Sequence, residues 1–311
     1  MAKPNSAVLA ITEKHGFSPK AVRKLLARYR VEDGKKFRLR DHDSGDTGGH
    51  LIEKNDAAIL LAHGVQRLSG QQEKLYAQDE WAMLCVFQAM DAAGKDGTIK
   101  HVMSGVNPQG VHITSFKAPG PEALDHDFLW RINNVLPARG MIGIFNRSHY
   151  EEVLVVRVHP ELLKHQNLPA AVRTKHLWKK RLEAIAAHEL YIARQGTVIL
   201  KFFLNLSKDE QKRRFLDRLD EPEKNWKFNS GDLTERGYWD DYQSCYEEAI
   251  GATAAPHAPW YIVPADNKWF TRLIVVEAMN ESLSRLDLKF PTISPEERQR
   301  RAEARVALEA E

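Results

Sequence analysis

Short apolar segments alternate with helical patterns through the middle of the chain, and this alternation limits the possible folds more than any other feature. Five segments are short, β-branched or aromatic, and mostly without polar alternation, namely 83–88, 111–116, 141–145, 197–206 and 260–263. Continuous apolar strands separated by helices are typical of a parallel sheet that helices cover on both faces. The sequence therefore predicts an α/β fold of three layers, α/β/α, on a parallel sheet.

Helical patterns flank these strands. Residues 1–31 predict one helix, with a Ser-Pro start at Ser18, and residues 53–78 predict an amphipathic helix that leads into the core. The final segment, "SPEERQRRAEARVALEAE", predicts a solvated helix. We therefore divide the chain into an N-terminal helical and loop extension, a core, and a C-terminal helical tail, with the bounds 1–52, 53–288 and 289–311.

Composition excludes several classes of protein. The net charge of +3 over 311 residues does not indicate a nucleic-acid partner. No apolar run approaches the roughly 18 residues that crossing a bilayer requires, so no membrane association is predicted. The two cysteines, Cys85 and Cys245, lie far apart without metal-ligand spacing. This pattern favours a reducing, cytoplasmic setting, with Cys85 buried in a strand.

The segment after the first apolar strand has the features of an anion-binding loop. It reads "MDAAGKDGTIK", from Met90 to Lys100. Its small residues allow backbone N–H groups to surround a phosphate, the following helix directs its positive end toward that site, and a lysine adds a mobile charge. The candidate phosphate ligands are Ala93, Gly94, Lys95, Asp96, Gly97, Thr98 and Lys100. Common phosphate-binding loops have Gly where this chain has Ala89 and Ser or Thr where it has Asp96.

Asp91 is unusual because a carboxylate inside such a loop repels the phosphate. It requires a compensating role, either holding Mg²⁺ in place of the missing hydroxyl or orienting and deprotonating an attacking phosphate oxygen. A simpler alternative is that Asp91 caps the following helix.

A second group of polar residues follows the strand at 141–145. Asn146 and Arg147 come directly after that strand, at the edge of the sheet where the loop is expected. Arg147 has the charge and geometry to stabilise a transferring phosphoryl group. Glu151 and Glu152 follow within two turns, and either accepts a hydrogen bond from an adenine amino group or faces water.

Three quoted segments, "MDAAGKDGTIKHVMSGVNPQG", "DHDFLWR" and "FNRSHYEEVLVVRVHPELL", resemble the family-2 polyphosphate kinases. The Asn146 form of the second site resembles class III of that family. The resemblance extends over most of the chain, from about residue 35 to about residue 288. It implies a thymidylate-kinase-like P-loop kinase fold with a helical lid, and transfer of the terminal phosphoryl group of polyphosphate to a nucleotide with Mg²⁺, for which Mn²⁺ can substitute.

The resemblance also implies roles for individual residues. Lys95 contacts phosphates, Asp91 binds the metal or activates the nucleophile, and Arg147 holds the phosphoryl group. Asn146, Glu151 and Glu152 are associated with nucleotide recognition. The common family pattern has Asp in place of Asn146, which places more of the metal-binding role on Asp91.

The lid, at about 207–242, begins with a basic helix. Ser207 is a candidate N-cap, and basic side chains recur at three- and four-residue spacing on the helix that follows. The candidate polyphosphate ligands are Lys208, Arg213 and Arg214. Since adjacent side chains point in different directions, we expect one of the two arginines to face the polyanion and the other to face solvent or an acid.

The leading hypothesis is a kinase that uses polyphosphate to convert AMP and ADP into ADP and ATP, reversibly, as a homo-oligomer of two or four chains. One alternative is an ATP-dependent nucleoside monophosphate kinase. The other is a non-catalytic module that binds polyanions or nucleotides through a degraded loop.

Overall fold

A mostly parallel sheet forms the centre of the molecule. The computed structural model describes residues 6, 10, 11, 17–49 and 52–311. The strands are β1 (Arg30–Val31), β2 (Ala82–Ala89), β3 (Val111–Ser115), β4 (Ile142–Asn146), β5 (Thr197–Asn205) and β6 (Trp260–Pro264). Their order is β1-β6-β5-β2-β4-β3, with β1 antiparallel to β6 and every other pair parallel. The predicted parallel sheet is therefore confirmed.

Helices cover the sheet and extend beyond it. They are α1 (Pro19–Ala27), α2 (Lys54–Gln78), α3 (Lys95–Val102), α4 (Pro121–Asp125), α5 (Trp130–Asn133), α6 (Val155–Val158), α7 (Leu177–Arg194), α8 (Lys208–Asp220), α9 (Gly231–Gly237), α10 (Trp239–Thr253), α11 (Lys268–Ser284) and α12 (Pro295–Glu309). Within the described ranges, no helix has both the length and the apolar content needed to span a membrane.

The two faces of the sheet have separate apolar cores. On β2, Cys85 and Phe87 belong to one core, and Leu84 and Val86, which alternate with them along the strand, belong to the other. Side chains along a strand alternate between faces, so a strand that is apolar at every position requires a cover on both sides. The helices α2 and α11 cover the first face, and α7 and α10 cover the second. The three-layer prediction is confirmed, as is the burial of Cys85.

The N-terminal helix is shorter than predicted. Part of the predicted span, 1–31, lies outside the described residues. Ser18 caps α1, its hydroxyl accepting a hydrogen bond from Ala21 N at 3.3 Å, as the Ser-Pro signal indicated. The helix ends at Ala27, however, and the prediction of one helix to residue 31 is wrong. The backbone at Arg30–Val31 pairs with β6 instead, because the hydrogen bonds of that sheet edge outweigh the local helix propensity.

The two remaining helical predictions hold closely. The amphipathic helix predicted at 53–78 is α2, and no residue of the C-terminal helix α12 is buried. The lid segment consists of α8, a short 3₁₀ segment at Pro222–Lys227, and α9. These elements lie beyond the carboxyl end of β5, next to the ends of β2 and β4.

Candidate active site

The loop after β2 has the shape of an anion-binding cradle. It turns sharply, with Ala92 at a φ of 61° and Gly94 at a φ of 97°. The left-handed region costs a residue with a Cβ about 1–2 kcal/mol, so glycine is the suitable residue at position 94. The helix α3 begins at Lys95, and its ammonium donates to Ala89 O at 3.1 Å. Backbone N–H groups at the helix start therefore face the same space as the lysine.

Charges of opposite sign alternate beside this loop. Arg147 Nη2 lies 3.2 Å from Asp91 Oδ1, and Arg147 Nη1 lies 3.9 Å from Glu151 Oε2. Burial lowers the pKa of the Lys95 ammonium, and the nearby Arg147 acts in the same direction. Burial also raises the pKa of the Glu151 carboxyl, although Arg147 and Lys95 oppose that rise. The positive charges of Lys95 and Arg147 thus oppose each other, and Asp91, Glu151 and Asp96 offset part of that repulsion at Lys95.

Two unusual residues, Asp96 in the loop and Asn146 after β4, compensate for each other. Asn146 Nδ2 donates to Asp96 Oδ1 at 2.6 Å, which joins the end of β4 to the first turn of α3. An aspartate at position 146 has no N–H to donate and places a second negative charge against Asp96. The amide at position 146 is therefore matched to the carboxylate that replaces the usual hydroxyl.

Arg214 connects the lid helix α8 to the loop. Its side chain is 4 % exposed, and its guanidinium donates to Ala92 O and Ala93 O at 3.0 and 2.9 Å. It also donates to Ala265 O at 2.6 Å and Asp266 O at 3.2 Å, beyond the end of β6. These bonds join α8 to the backbone of two sheet-edge segments, the loop after β2 and the residues after β6.

Two cavities meet at this site. The cationic cavity, about 710 Å³ in volume, contains the loop from Asp91 to Thr98. The apolar cavity, about 350 Å³, lies between β3, the turn after β4 and the 3₁₀ segment Pro160–Gln166. Phe116, Lys117, Ala118 and Arg147 line both. Arg147 is thus in a position to contact groups in either cavity.

Most of the candidate residues line these cavities. Those in the cationic cavity are Asp91, Ala93, Gly94, Lys95, Asp96, Gly97, Thr98, Asn146, Arg147 and Arg214, and those in the apolar cavity include Arg147, Glu151 and Glu152. The structure does not bring Lys100, Lys208 or Arg213 to either cavity. Lys100 is exposed, and Lys208 lines a separate cavity of about 950 Å³ beside α10.

The expectation about the lid arginines is met only for one residue. Arg213 is 57 % exposed and pairs with Glu210 and Asp217, so it faces solvent and acids. Arg214 lines the cationic cavity, but all its nitrogens donate to protein oxygens. Its geometry is that of a loop support, and its expected contact with polyphosphate stays a prediction.

Several charged residues of the cationic cavity escaped the sequence reasoning. They are Lys117, Asp217, Lys224, Asp232, Lys268 and Arg272. Two of them had a usable signal, because Lys117 follows β3 and Lys268 follows β6 within a few residues. Ligands of open α/β sheets bind at the carboxyl ends of the strands, so that rule applies to all the strands and not only to β2 and β4.

The residues present fit a divalent cation held partly by substrate. Among the described residues, no three His, Cys, Asp or Glu side chains form a cluster able to hold a metal alone. Asp91 and Asp232 line the same cavity, and the pKa of Asp232 is raised by burial and further by the charge of Asp91. Mg²⁺ is commonly held by one or two carboxylates together with substrate phosphates, which is the donor set available here.

This parallel sheet, with a phosphate-binding loop after β2 and a helical lid above it, defines a phosphotransferase of the P-loop kinase fold. Comparison with known proteins assigns it further. The family model described as Polyphosphate kinase 2 (PPK2) matches residues 52–291. The chain belongs to that family, as the resemblance of the quoted segments indicated.

Individual relatives support the same assignment. The chain is 52 % identical over 240 residues to an ADP-polyphosphate phosphotransferase of Rhodopseudomonas palustris, covering 77 % of this chain and 83 % of that protein. It is 45 % identical over 266 residues to an AMP/ADP-polyphosphate phosphotransferase of Meiothermus ruber, covering 86 % and 96 %. The crystal structure of polyphosphate kinase 2 from Arthrobacter aurescens TC1 superposes with a TM-score of 0.80 at 42 % identity, covering 88 % and 94 %.

Proposed function

We propose that this protein transfers the terminal phosphoryl group of inorganic polyphosphate to AMP and to ADP, giving ADP and ATP, in a reversible reaction that requires Mg²⁺. One observation carries the proposal: a cationic cavity and an apolar cavity share Arg147. The cationic cavity contains eight Lys and Arg side chains against four Asp side chains. That surplus suits a chain of phosphates, while the apolar cavity suits a nucleoside.

The reaction breaks the terminal P–O bond of polyphosphate and forms a P–O bond to a phosphate oxygen of the nucleotide. The polyphosphate leaves one phosphate shorter. The backbone N–H groups near Gly94 and the Lys95 ammonium bind phosphate oxygens, and Arg147 neutralises charge that develops on the transferred group. Phosphoryl transfer depends mainly on such positioning and charge neutralisation, so no covalent enzyme intermediate is required.

Asp91 is the proposed metal ligand, with Asp232 as a second carboxylate at the same cavity. Mg²⁺, or Mn²⁺ in its place, supplies charge neutralisation on the phosphate oxygens when bound. Asp91 also has a geometric role, because its contact with Arg147 orients the guanidinium toward the loop. Its alternative role, as the base that orients the attacking phosphate oxygen, uses the same position in the cavity.

Glu151 and Glu152 are the proposed contacts of the base. Both line the apolar cavity. Glu152 Oε2 already accepts from Gln166 Nε2 at 2.7 Å and from Arg181 Nη1 at 3.1 Å. A contact between the base and Glu152 therefore depends on its other oxygen. Glu151 lies 3.9 Å from Arg147 and also interacts with Gln88.

The decisive experiment supplies each donor separately. With purified protein, Mg²⁺, AMP and polyphosphate, we expect both ADP and ATP to form. Formation of ADP only when ATP is the donor would favour an ATP-dependent monophosphate kinase. Asp91→Asn tests the non-catalytic alternative, since we expect turnover to fall at least about 10²-fold while the thermal midpoint stays near that of the wild type. Activity that persists with a chelator present would reject the metal requirement.

Assembly and location are further parts of the proposal. A homo-oligomer of two or four chains is expected, and light scattering coupled to size exclusion measures it directly. The free thiols of Cys85 and Cys245 are both buried, which supports a reducing compartment such as the cytoplasm.

A further inference from the structure

A buried ionic network lies under the turn that carries Arg147. Lys201, in the middle of β5, is completely buried, and its ammonium lies 2.5 Å from Glu189 Oε2 on α7. The same ammonium donates to Thr253 O at 2.8 Å and to the Tyr150 hydroxyl at 3.2 Å, which accounts for its three donors. Tyr150 donates in turn to Glu189 Oε1 at 2.8 Å. The network is fully paired, so it fixes the ring of Tyr150.

The backbone beside Tyr150 is strained. Arg147 has a φ of 63°, a left-handed conformation that a long side chain rarely adopts. Its N–H donates to Phe87 O at 3.0 Å, and the next residue, Ser148, accepts from Tyr150 N at 3.2 Å and from Gln88 Nε2 at 3.0 Å. Strained residues persist only where the surrounding structure holds them firmly, and they concentrate at functional sites.

The strain and the network are connected through the short segment 147–150. Tyr150 is anchored on one side by Glu189 and Lys201 and bonds through its N–H to Ser148, which directly follows Arg147. None of the three network residues lines the cationic or the apolar cavity. They can therefore influence a bound substrate only through the residues that they contact.

We propose that Tyr150, Glu189 and Lys201 are positioning residues that keep Arg147 in its left-handed conformation, with its guanidinium against Asp91. The inference rests on the proposed function, in which Arg147 neutralises the transferred phosphoryl group. Loss of the Tyr150 hydroxyl leaves the fold in place but releases the turn, so Arg147 is aligned with the phosphoryl group for a smaller fraction of the time.

A double-mutant cycle between Tyr150→Phe and Arg147→Ala tests this connection. We expect Tyr150→Phe alone to lower kcat about tenfold with KM for AMP changed by less than about twofold, as expected for an interaction that matters most in the transition state. In the Arg147→Ala background the same substitution should change kcat by less than about twofold, since the residue through which it acts is gone.

Tyr29→Phe is the matched control. Tyr29 is also buried, and its hydroxyl also donates to one carboxylate, Asp46 at 2.8 Å, but it lies on the far side of the sheet from the turn. We expect both Tyr→Phe variants to lower the thermal midpoint and only Tyr150→Phe to lower kcat. An equal loss of kcat in both Arg147 backgrounds, or unchanged kcat in Tyr150→Phe, overturns the inference. Absence of polyphosphate-dependent activity in the wild type overturns the proposed function instead.

Discussion

Replacing Arg214 with lysine tests whether this residue supports the loop or binds polyphosphate. The native guanidinium uses its five N–H donors on Glu210 and on four backbone carbonyls, at distances from 2.6 to 3.2 Å. Lysine keeps the positive charge, so the electrostatic attraction of the cavity for a polyanion changes little. Its single nitrogen, however, cannot span both the loop and the carbonyls beyond β6.

The magnitude follows from the number of bonds lost. A lysine at position 214 reaches one of the two carbonyl pairs at most, so about three hydrogen bonds to buried oxygens are lost at about 1 kcal/mol each, or about 3 kcal/mol in total. For a chain of this size, 1 kcal/mol lowers the thermal midpoint by about 2 °C, which gives about 6 °C. Displacement of the loop by a fraction of an ångström reduces kcat by up to about 10²-fold.

Scanning calorimetry and steady-state kinetics with polyphosphate and AMP measure both effects. Arg213→Lys is the matched control, because Arg213 is the adjacent residue, is 57 % exposed, and pairs with Glu210 and Asp217 of its own helix. Pairs made by such an exposed guanidinium are worth at most about 1 kcal/mol. We expect that control to shift the midpoint by about 2 °C or less. A variant Arg214→Lys with a wild-type midpoint and a raised KM for polyphosphate would refute the reasoning and make Arg214 a substrate ligand.

Three further predictions concern the neighbouring residues. Asn146→Asp should lower kcat about tenfold by placing a carboxylate against Asp96, and the additional change Asp96→Ser should recover most of it; failure of this rescue in kinetic assays would contradict the pairing. Burial lowers the pKa of Lys95 below the ordinary lysine value of about 10.4, and Lys95 acts only when protonated. We therefore expect kcat/KM to have its full value at lower pH and to fall as the pH rises through the pKa of Lys95. Lys95→Arg should remove that fall from the pH profile, and an unchanged limb would assign it to another group. Lys268→Gln should reduce the slope of log KM for polyphosphate against log salt by up to about one, while the exposed Lys20→Gln should leave it unchanged.

The sequence predicted the sheet more accurately than its edges. All five predicted strands exist within two residues of their predicted bounds. Four of them are largely buried, and a strand buried on both faces requires an uninterrupted apolar run, whereas β3 is a partly exposed edge strand. The strand at Arg30–Val31 was missed, since two residues have no periodicity to detect and their pairing with β6 is a long-range contact. The helix prediction there followed local propensity, which tertiary hydrogen bonds overrode.

At the site, the sequence correctly predicted the position of residues that directly follow a strand. The loop after β2 and the turn after β4 meet as expected, because parallel strands bring their carboxyl ends to one edge. The sequence did not predict which lid side chain points in which direction. Arg213 and Arg214 are adjacent and identical in type, yet one is exposed and the other is buried against backbone carbonyls.

The sequence by itself determined the layer architecture, the phosphate loop and the family, because these depend on patterns along short stretches of chain. Only the tertiary structure decided that Asn146 pairs with Asp96, that Arg214 supports the loop, and that Lys201 and Glu189 hold the turn beside Arg147. Each of these contacts joins residues at least 12 positions apart. Their energies depend on burial and on the direction of a side chain, and both are set when the sheet brings distant segments together.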